Sequence, residues 1–268
     1  KTNLPVVLTV YDLIHEKFHE LYGKEKNYRP KKQAIERADE IICISQNTLQ
    51  DLNHYYDIKN KKTSVIYLGS DLNKKKYLDK NILFFKDKYL LYVGKRNGYK
   101  NFKNFIKGNS ISERLKNNFN IYCFGGGKFQ KNEFRMFKEF GLEDKKIVYF
   151  EGDDSILINL YENASALIYP SKYEGFGLPI LEAMSFECPV ICSNKSSIPE
   201  VGGDAVEYFD PESIENIKHA ICNTVFSDSK IKDLKTIASK RAKLFNWSKC
   251  ASETIEVYKK LILRPHVS

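Results

Sequence analysis

The stretch Pro170-Ser-Lys-Tyr-Glu-Gly-Phe-Gly-Leu-Pro-Ile-Leu-Glu-Ala-Met184 decides how this chain is read. It lies between an apolar run that reads as a strand, Ala166–Tyr169, and a segment that reads as a helix, Ile180–Phe186. Gly175 and Gly177 flank Phe176, and Pro179 suits the first helical position, where a missing N–H costs nothing. Glycines just ahead of a helix let backbone N–H groups approach an anion at its positive end. Glu174 before the turn and Glu182 near the first helical turn flank one ligand-sized space. Carboxylates so placed suit hydrogen bonds from sugar or ribose hydroxyls. The same residues also make sense without a ligand, as a capped helix with a Glu favourably placed on its dipole.

Working outward, the alternation seen at this stretch runs along the whole chain. Strand-like runs are Leu4–Val10, Glu40–Ile44, Ser64–Tyr67, Tyr89–Val93, Asn120–Phe124, Ile147–Phe150, Ala166–Tyr169 and Pro189–Cys192. Helix-like segments are Lys31–Arg37, Gln46–Tyr55, Phe102–Asn109, Asn132–Phe140, Ser155–Asn163 and Ile180–Phe186, with Pro211–Thr224 and Ser252–Ile262 after the last strand. Near-continuous apolar strands alternating with helices point to parallel sheets covered on both faces. Between Gly69 and Lys88 the composition shifts to Lys, Asn and Asp with little periodicity, which suits an interdomain linker. Past it there are enough units for a complete open α/β domain; before it there are about two, too few to bury a doubly wound sheet alone. The chain opens on Lys1 and enters a strand at Leu4 without the pattern of a signal peptide, so the expectation is a fragment lacking its beginning.

Composition excludes several classes. At 268 residues and 42% hydrophobic the chain can bury a core without staples, and 13% aromatics argue against disorder. Its longest apolar runs fall far short of the roughly 20 residues of a membrane span. The net charge of +9 suits phosphate-bearing ligands, nucleic acid or an anionic membrane, and equally suits solvated lysine faces. Nucleic acid is the weakest of these, because no recognition motif supports it. Cys43, Cys123 and Cys192 lie inside apolar runs and read as small hydrophobes. Cys188 and Cys192 are not at zinc-site spacing and no histidine cluster joins them, so no metal site is expected and a reducing compartment is the simpler inference.

Two further loops carry chemistry. In Tyr89-Leu-Leu-Tyr-Val-Gly-Lys-Arg-Asn-Gly-Tyr-Lys-Asn101 a strand ends at Gly94, and Lys95, Arg96 and Lys100 crowd the loop beyond it. Ligands of open α/β sheets bind at the carboxyl ends of strands, where such residues suit a diphosphate, Arg as a fork and Lys as a point charge. Cys123-Phe-Gly125-Gly126-Gly127-Lys128 also follows a strand; it is neither a P-loop nor a G-x-G-x-x-G fingerprint, and it is either a plain turn or a close approach to a base or phosphate.

Together these residues resemble the retaining glycosyltransferases of family 4, which have the GT-B fold. Glu174-x7-Glu182 within E-G-F-G-L-P-I-L-E-A-M looks like that family's signature. Leu91–Asn101, Phe150-Glu-Gly152 through Ala164, and Pro189-Val-Ile191 with Ser196-Ser-Ile-Pro-Glu-Val-Gly-Gly-Asp-Ala205 are similar to its other segments. Upstream, Thr9–His15, Arg37–Ile42 with Ser45, and Val65–Asp71 match the late part of its N-terminal domain. Ser165 stands where that family often has Asp, and Tyr11-Asp12 where it often has His-Asp; Asp12, His15 or Tyr11 then takes the supporting role.

The resemblance implies an α/β GT-B chain of two Rossmann-like domains with parallel sheets, the N-terminal one incomplete. Residues 1–75 would belong to the acceptor domain, 76–245 to the donor domain, and 246–268 to a helix crossing back, anchored by Trp247. It implies Glu174, Arg96, Lys100 and Asp12 as catalytic residues. Arg96 and Lys100 would clamp the diphosphate, and Glu174 would meet the transferred sugar. Gly175, Phe176, Gly177 and Leu178 would line the donor loop, Glu182 would bind the ribose, and Gly94, Gly125, Gly126 and Glu151 would border the nucleotide. No metal and no cofactor are implied: the donor is a nucleotide sugar, with GDP-mannose ahead of UDP-sugars because Tyr11–Glu16 looks most like mannosyl- or related hexosyltransferases. The implied acceptor is a lipid-linked oligosaccharide of bacterial surface polysaccharide, O-antigen, capsule or lipopolysaccharide. The implied location is cytoplasmic, with peripheral contact at the anionic inner membrane. The alternative is a non-catalytic nucleotide-sugar-binding subunit that needs a partner chain.

Overall fold

The computed structural model describes residues 4–22, 28–70, 72, 85–96, 98–142 and 146–263. The first group of elements is β1 (Val7–Val10), α1 (Ile14–Lys17), α2 (His19–Tyr22), α3 (Tyr28–Arg37), β2 (Glu40–Cys43), α4 (Gln46–Tyr55) and β3 (Lys62–Val65). Its strands form a parallel sheet in the order β1-β2-β3, with Val10 opposite Cys43 and Cys43 opposite Val65. Val10, Leu13, Ile35, Ile41, Cys43 and Leu52 are packed into its core. The segment Ser45-Gln-Asn-Thr48 starts α4 where it does, because the Ser45 hydroxyl accepts from the Thr48 N–H at 3.0 Å.

The second group begins with β4 (Tyr89–Val93), α5 (Phe102–Ser110), α6 (Glu113–Asn118), β5 (Asn120–Phe124), α7 (Lys131–Glu139) and β6 (Ile147–Phe150). It continues with α8 (Asp154–Asn163), β7 (Ala166–Tyr169), α9 (Leu178–Ser185), β8 (Val190–Ser193), α10 (Ile198–Gly202) and β9 (Glu207–Phe209). The helices α11 (Ile214–Val225), α12 (Asp228–Ala242) and α13 (Trp247–Ile262) follow. All six strands are parallel, in the order β6-β5-β4-β7-β8-β9. Both faces are covered: Leu90 and Tyr92 pack with Phe102, Phe105 and Ile221, while Tyr89, Leu91 and Val93 pack with Leu160, Tyr161 and Ile180.

The chain moves outward from β4 through β5 to β6, then returns to β7 and moves outward the other way through β8 to β9. The direction reverses between β4 and β7, so the loops leaving these neighbours part and open a crevice at their carboxyl ends. Those are the loops carrying Gly94–Lys100 and Pro170–Gly177. The helix α13 returns to the first sheet, where Val257 joins Ile42 and Ile66. The architecture is the GT-B fold.

Several element boundaries differ from the sequence reading. β3 spans Lys62–Val65 rather than Ser64–Tyr67, because Tyr67 leaves the sheet to pack against Phe176 and Phe245. α9 starts at Leu178, which makes Pro179 the second helical residue. α13 begins five residues earlier than read, capped by Asn246, whose side chain accepts from the Lys249 N–H at 2.8 Å. β9 and α12 were not anticipated: β9 has only three residues, and α12 buries just Leu234, Ala238 and Ala242. Most of the linker read between Gly69 and Lys88, including Lys74–Lys76, lies outside the described residues.

Candidate functional site

At the crevice the two loops are stitched to each other. Asn101, in the left-handed region at φ 57°, donates through Nδ2 to the Pro170 and Pro211 carbonyls at 3.1 and 2.8 Å. The Lys172 N–H donates to the Tyr99 carbonyl at 2.8 Å. Across this seam Lys100 Nζ lies 2.7 and 3.0 Å from the Glu174 carboxylate oxygens. Glu174 is only 7% exposed. A buried ion pair gains little net stability after desolvation, so a folding role alone does not explain this one.

Around the pair stand aromatic and hydroxyl groups. Burial first, and then the Glu174 carboxylate, push the Tyr169 phenol well above its ordinary range. Lys100 Nζ also faces the Tyr99 and Tyr169 rings, 5.4 and 5.8 Å from their centroids. The Glu174 N–H donates to Ser196 Oγ at 2.9 Å, and Ser197 Oγ donates to the Glu174 and Phe176 carbonyls at 2.9 and 3.0 Å.

The loop then enters α9 through Gly177, its N-cap, at φ 109°. Gly175 faces the first domain so closely that a Cβ there would collide with the Tyr11 carbonyl oxygen and come within 3.0 Å of the Asp12 Cβ. Only glycine fits, and Asp12 is thereby brought against the loop; its carboxylate accepts from the Ile14 N–H at 3.0 Å. Leu178 is the first residue of α9 and is half-buried, and Phe176 is buried beneath the loop. Glu182, further along α9, accepts from the Tyr161 hydroxyl at 3.0 Å. Burial raises the Glu182 carboxyl above its ordinary range, and that hydrogen bond only partly offsets the rise.

Arg96 behaves differently from what a diphosphate clamp requires. Its Nε donates to Glu133 Oε1 at 2.6 Å, Nη1 to the Gly125 carbonyl at 2.9 Å and Nη2 to the Gly127 carbonyl at 2.7 Å. The guanidinium stacks 4.7 Å from the Phe129 ring centroid, and its side chain is 5% exposed. It therefore organises the glycine loop from within. Glu133 is shared with the N-terminus of α7, where it accepts from the Gln130 N–H at 2.8 Å. Gly126 packs on the β4 loop, where a Cβ would lie 2.7 Å from the Gly94 carbonyl oxygen and 3.0 Å from the Lys95 Cα. Lys95, exposed, lines a cleft of about 350 Å³ with Arg96, Gly126, Gln130, Asn132 and Glu133. Glu151, exposed, accepts from the Tyr149 hydroxyl at 3.2 Å beside this loop.

The structure thus gathers Lys100, Glu174, Gly175–Gly177 and Asp12 at one place, with Gly94, Gly125 and Gly126 on the adjoining loops. Sequence reasoning missed Ser196, Ser197 and Thr48 around the loop, and Glu133. The signal for Glu133 was its position three residues after Gln130, a capping-box spacing. Ser196 and Ser197 lay inside a motif already singled out. No group of three His, Cys, Asp or Glu side chains suited to a metal occurs among the described residues. All six cysteines are free, and burial pushes the Cys43 and Cys188 thiols up to about 12.

Residues 73–243 match the family model described as glycosyl transferases group 1, and residues 1–74 the one described as glycosyltransferase family 4. The chain belongs to this glycosyltransferase family. Among its relatives is the O-antigen chain mannosyltransferase B of Escherichia coli, 34% identical over 65% of this chain and 46% of that protein. The serotype-specific mannosyltransferase WbdA of Escherichia coli is 28% identical over 97% of this chain and 34% of its own. A Campylobacter jejuni N-acetylgalactosaminyltransferase, named for a diphospho-undecaprenol-linked sugar, is 27% identical over 82% of this chain and 60% of its own. The chain therefore spans about a third to three fifths of these relatives. Among solved structures, sucrose-phosphate synthase from Thermosynechococcus elongatus superposes with a TM-score of 0.79 at 21% identity, over 98% of this chain and 69% of that one. WaaG, titled a glycosyltransferase involved in lipopolysaccharide biosynthesis, gives 0.71 at 17%, over 94% and 75%. These two likenesses agree with the fold.

Proposed function

We propose that this glycosyltransferase family member transfers a hexose, with retention, from a nucleoside-diphosphate sugar to a lipid-linked glycan of bacterial surface polysaccharide, without a metal ion. GDP-mannose is the favoured donor and UDP-sugars the alternative; the mannosyltransferases among the relatives support that order. The observation that carries the reading is the ion pair between Lys100 and the buried Glu174 at the mouth of the β4–β7 crevice.

A bound donor would draw Lys100 onto the diphosphate and leave Glu174 to accept hydrogen bonds from the hexose hydroxyls. Departure of the nucleoside diphosphate develops negative charge, which Lys100 and the backbone N–H groups entering α9 would stabilise. Lys95, exposed one residue before Arg96, would add charge to the diphosphate while Arg96 keeps the glycine loop in shape. Glu182 would receive the ribose, Gly94, Gly125, Gly126 and Glu151 would border the nucleotide, and Asp12 would face the transferred sugar from the opposite domain.

Contact with an anionic membrane on the cytoplasmic side is part of the proposal. It is supported by the net charge of +9 and by a surface groove along α12 in which Lys232, Lys235, Lys240 and Lys243 outnumber the carboxylates Glu187 and Asp228. No helix among the described residues is long and apolar enough to cross a membrane. A second reading, donor binding without transfer, is favoured by Tyr11, which is 60% exposed where the family often carries a histidine.

The test is transfer of labelled hexose from GDP-mannose and UDP-sugars to a polyprenyl-diphosphate-linked glycan in the presence of EDTA. Product from one donor, lost in Glu174→Ala, supports the proposal. Donor binding without product, in the full-length protein, supports the second reading instead.

A further inference from the structure

Glu200 joins the two domains at a point that none of the roles above uses. Its carboxylate oxygens accept from the Gln46 and Asn47 N–H groups at 2.7 and 2.8 Å, and the Tyr67 hydroxyl donates to it at 3.1 Å. Ser45 already caps the Thr48 N–H, so Gln46 and Asn47 carry the remaining unpaired donors of the α4 N-terminus. The first turn of α4 has no acidic residue of its own; the charge that suits its positive end comes from the other domain. Behind Glu200, Arg241 fixes the backbone, donating to the Glu200 and Val201 carbonyls at 2.5 and 3.0 Å.

Both sides of this joint reach the 174–177 loop. On the α4 side, the Ser45 hydroxyl donates to Thr48 Oγ1 at 2.9 Å, and Thr48 Oγ1 donates to the Gly175 carbonyl at 3.3 Å. On the α10 side, Ser197 Oγ holds the Glu174 and Phe176 carbonyls. The loop is thus held between α4 and the start of α10, and Glu200 ties those two elements together.

We propose that Glu200 is a positioning residue whose carboxylate latches α4 to α10 and so holds the 174–177 loop in its transfer-competent geometry. The idea rests on the reading of that loop as the donor-sugar site.

The test compares wild type with Glu200→Gln, Glu200→Asp and Thr48→Val in the full chain, by amide hydrogen exchange, nucleoside-diphosphate titration and turnover. Glu200→Gln should speed exchange of the Gln46 and Asn47 amides and of the Gly175–Gly177 amides together. It should lower kcat by about 10- to 100-fold, within the usual range of coupling between sites, while the GDP or UDP dissociation constant moves less than about 2-fold by the same reasoning. Glu200→Asp should restore part of the kcat. Thr48→Val, which keeps the latch, should slow turnover less, and adding it to Glu200→Gln should cost less than the two single effects combined. Faster exchange confined to α4, with the loop amides and kcat unchanged, would overturn the proposal, as would full additivity of the two variants. Absence of any donor binding in wild type would instead sink the transferase reading, and the exchange data would still decide the latch.

Discussion

Two basic side chains leave one loop four residues apart, and each meets a carboxylate; Arg96 pairs with the half-buried Glu133, Lys100 with the buried Glu174. The surroundings make them different devices. Arg96 also donates to the carbonyls of Gly125 and Gly127 and stacks on Phe129, so most of its fork is bound to fixed protein groups. Lys100 has a point charge whose short contacts are to the two oxygens of one carboxylate, at the edge of the crevice between β4 and β7. A saturated planar fork builds a loop; a singly partnered ammonium can exchange one anion for another. Both are basic residues of one loop in the sequence, and the saturation of their donors separates structure from chemistry.

Lys100→Ala should have the largest effect on transfer, a loss of about 10²- to 10³-fold in kcat, as for removal of one preorganised donor to a developing anion. Glu174→Ala should match it, in steady-state kinetics with either donor. Near-normal turnover in both would end the account of this pair.

Arg96→Met should act chiefly on folding. Loss of the guanidinium leaves the Glu133 carboxylate and the Gly125 and Gly127 carbonyls without their donor, at about 1–3 kcal/mol for each that stays unsatisfied, so thermal unfolding should shift down by several degrees, with donor affinity lost as the glycine loop relaxes. Lys95→Ala, on an exposed side chain, should leave the Tm alone and raise the donor KM by about tenfold, the scale of one charge-assisted contact. The reverse pattern, a stable Arg96→Met without donor affinity and a silent Lys95→Ala, would return the diphosphate to Arg96.

The smallest effect belongs to Glu182. Its raised pKa means the folded state holds the proton more tightly than the unfolded state, so stability falls as pH rises through that folded value. Glu182→Gln removes this cost. The variant should melt slightly above wild type at pH 7, the gap closing as pH falls below the ordinary glutamate range, while nucleotide affinity drops. A variant that melts lower at pH 7 would contradict the assignment of burial as the dominant cause.

How much of this could be read beforehand follows from where each partner lies in the chain. β4, β5 and β7 match their sequence limits because each is an apolar run buried on both faces, and the half-buried edge strand β6 matches because it is a short apolar run. Glu174 and Glu182 stand out as candidates because glycines and carboxylates at a helix start have a local meaning, and Lys100 because it follows a strand end in a basic loop. The role of Arg96 was not, since Glu133 and the Gly125 and Gly127 carbonyls lie about thirty residues further on and the stacking ring of Phe129 with them. Glu200 was hidden in the same way: its donors on α4 are 153 and 154 residues distant. Long-range polar partners leave no periodicity, whereas strands and caps do.

The most direct test of the central claim is a calorimetric titration of GDP, UDP, ADP and dTDP, with EDTA present, into wild type, Lys100→Ala and Lys95→Ala. The account predicts saturable binding of one nucleotide to wild type, weakened in Lys95→Ala and abolished in Lys100→Ala, with the fold of both variants intact by circular dichroism. Undiminished binding in Lys100→Ala would contradict it.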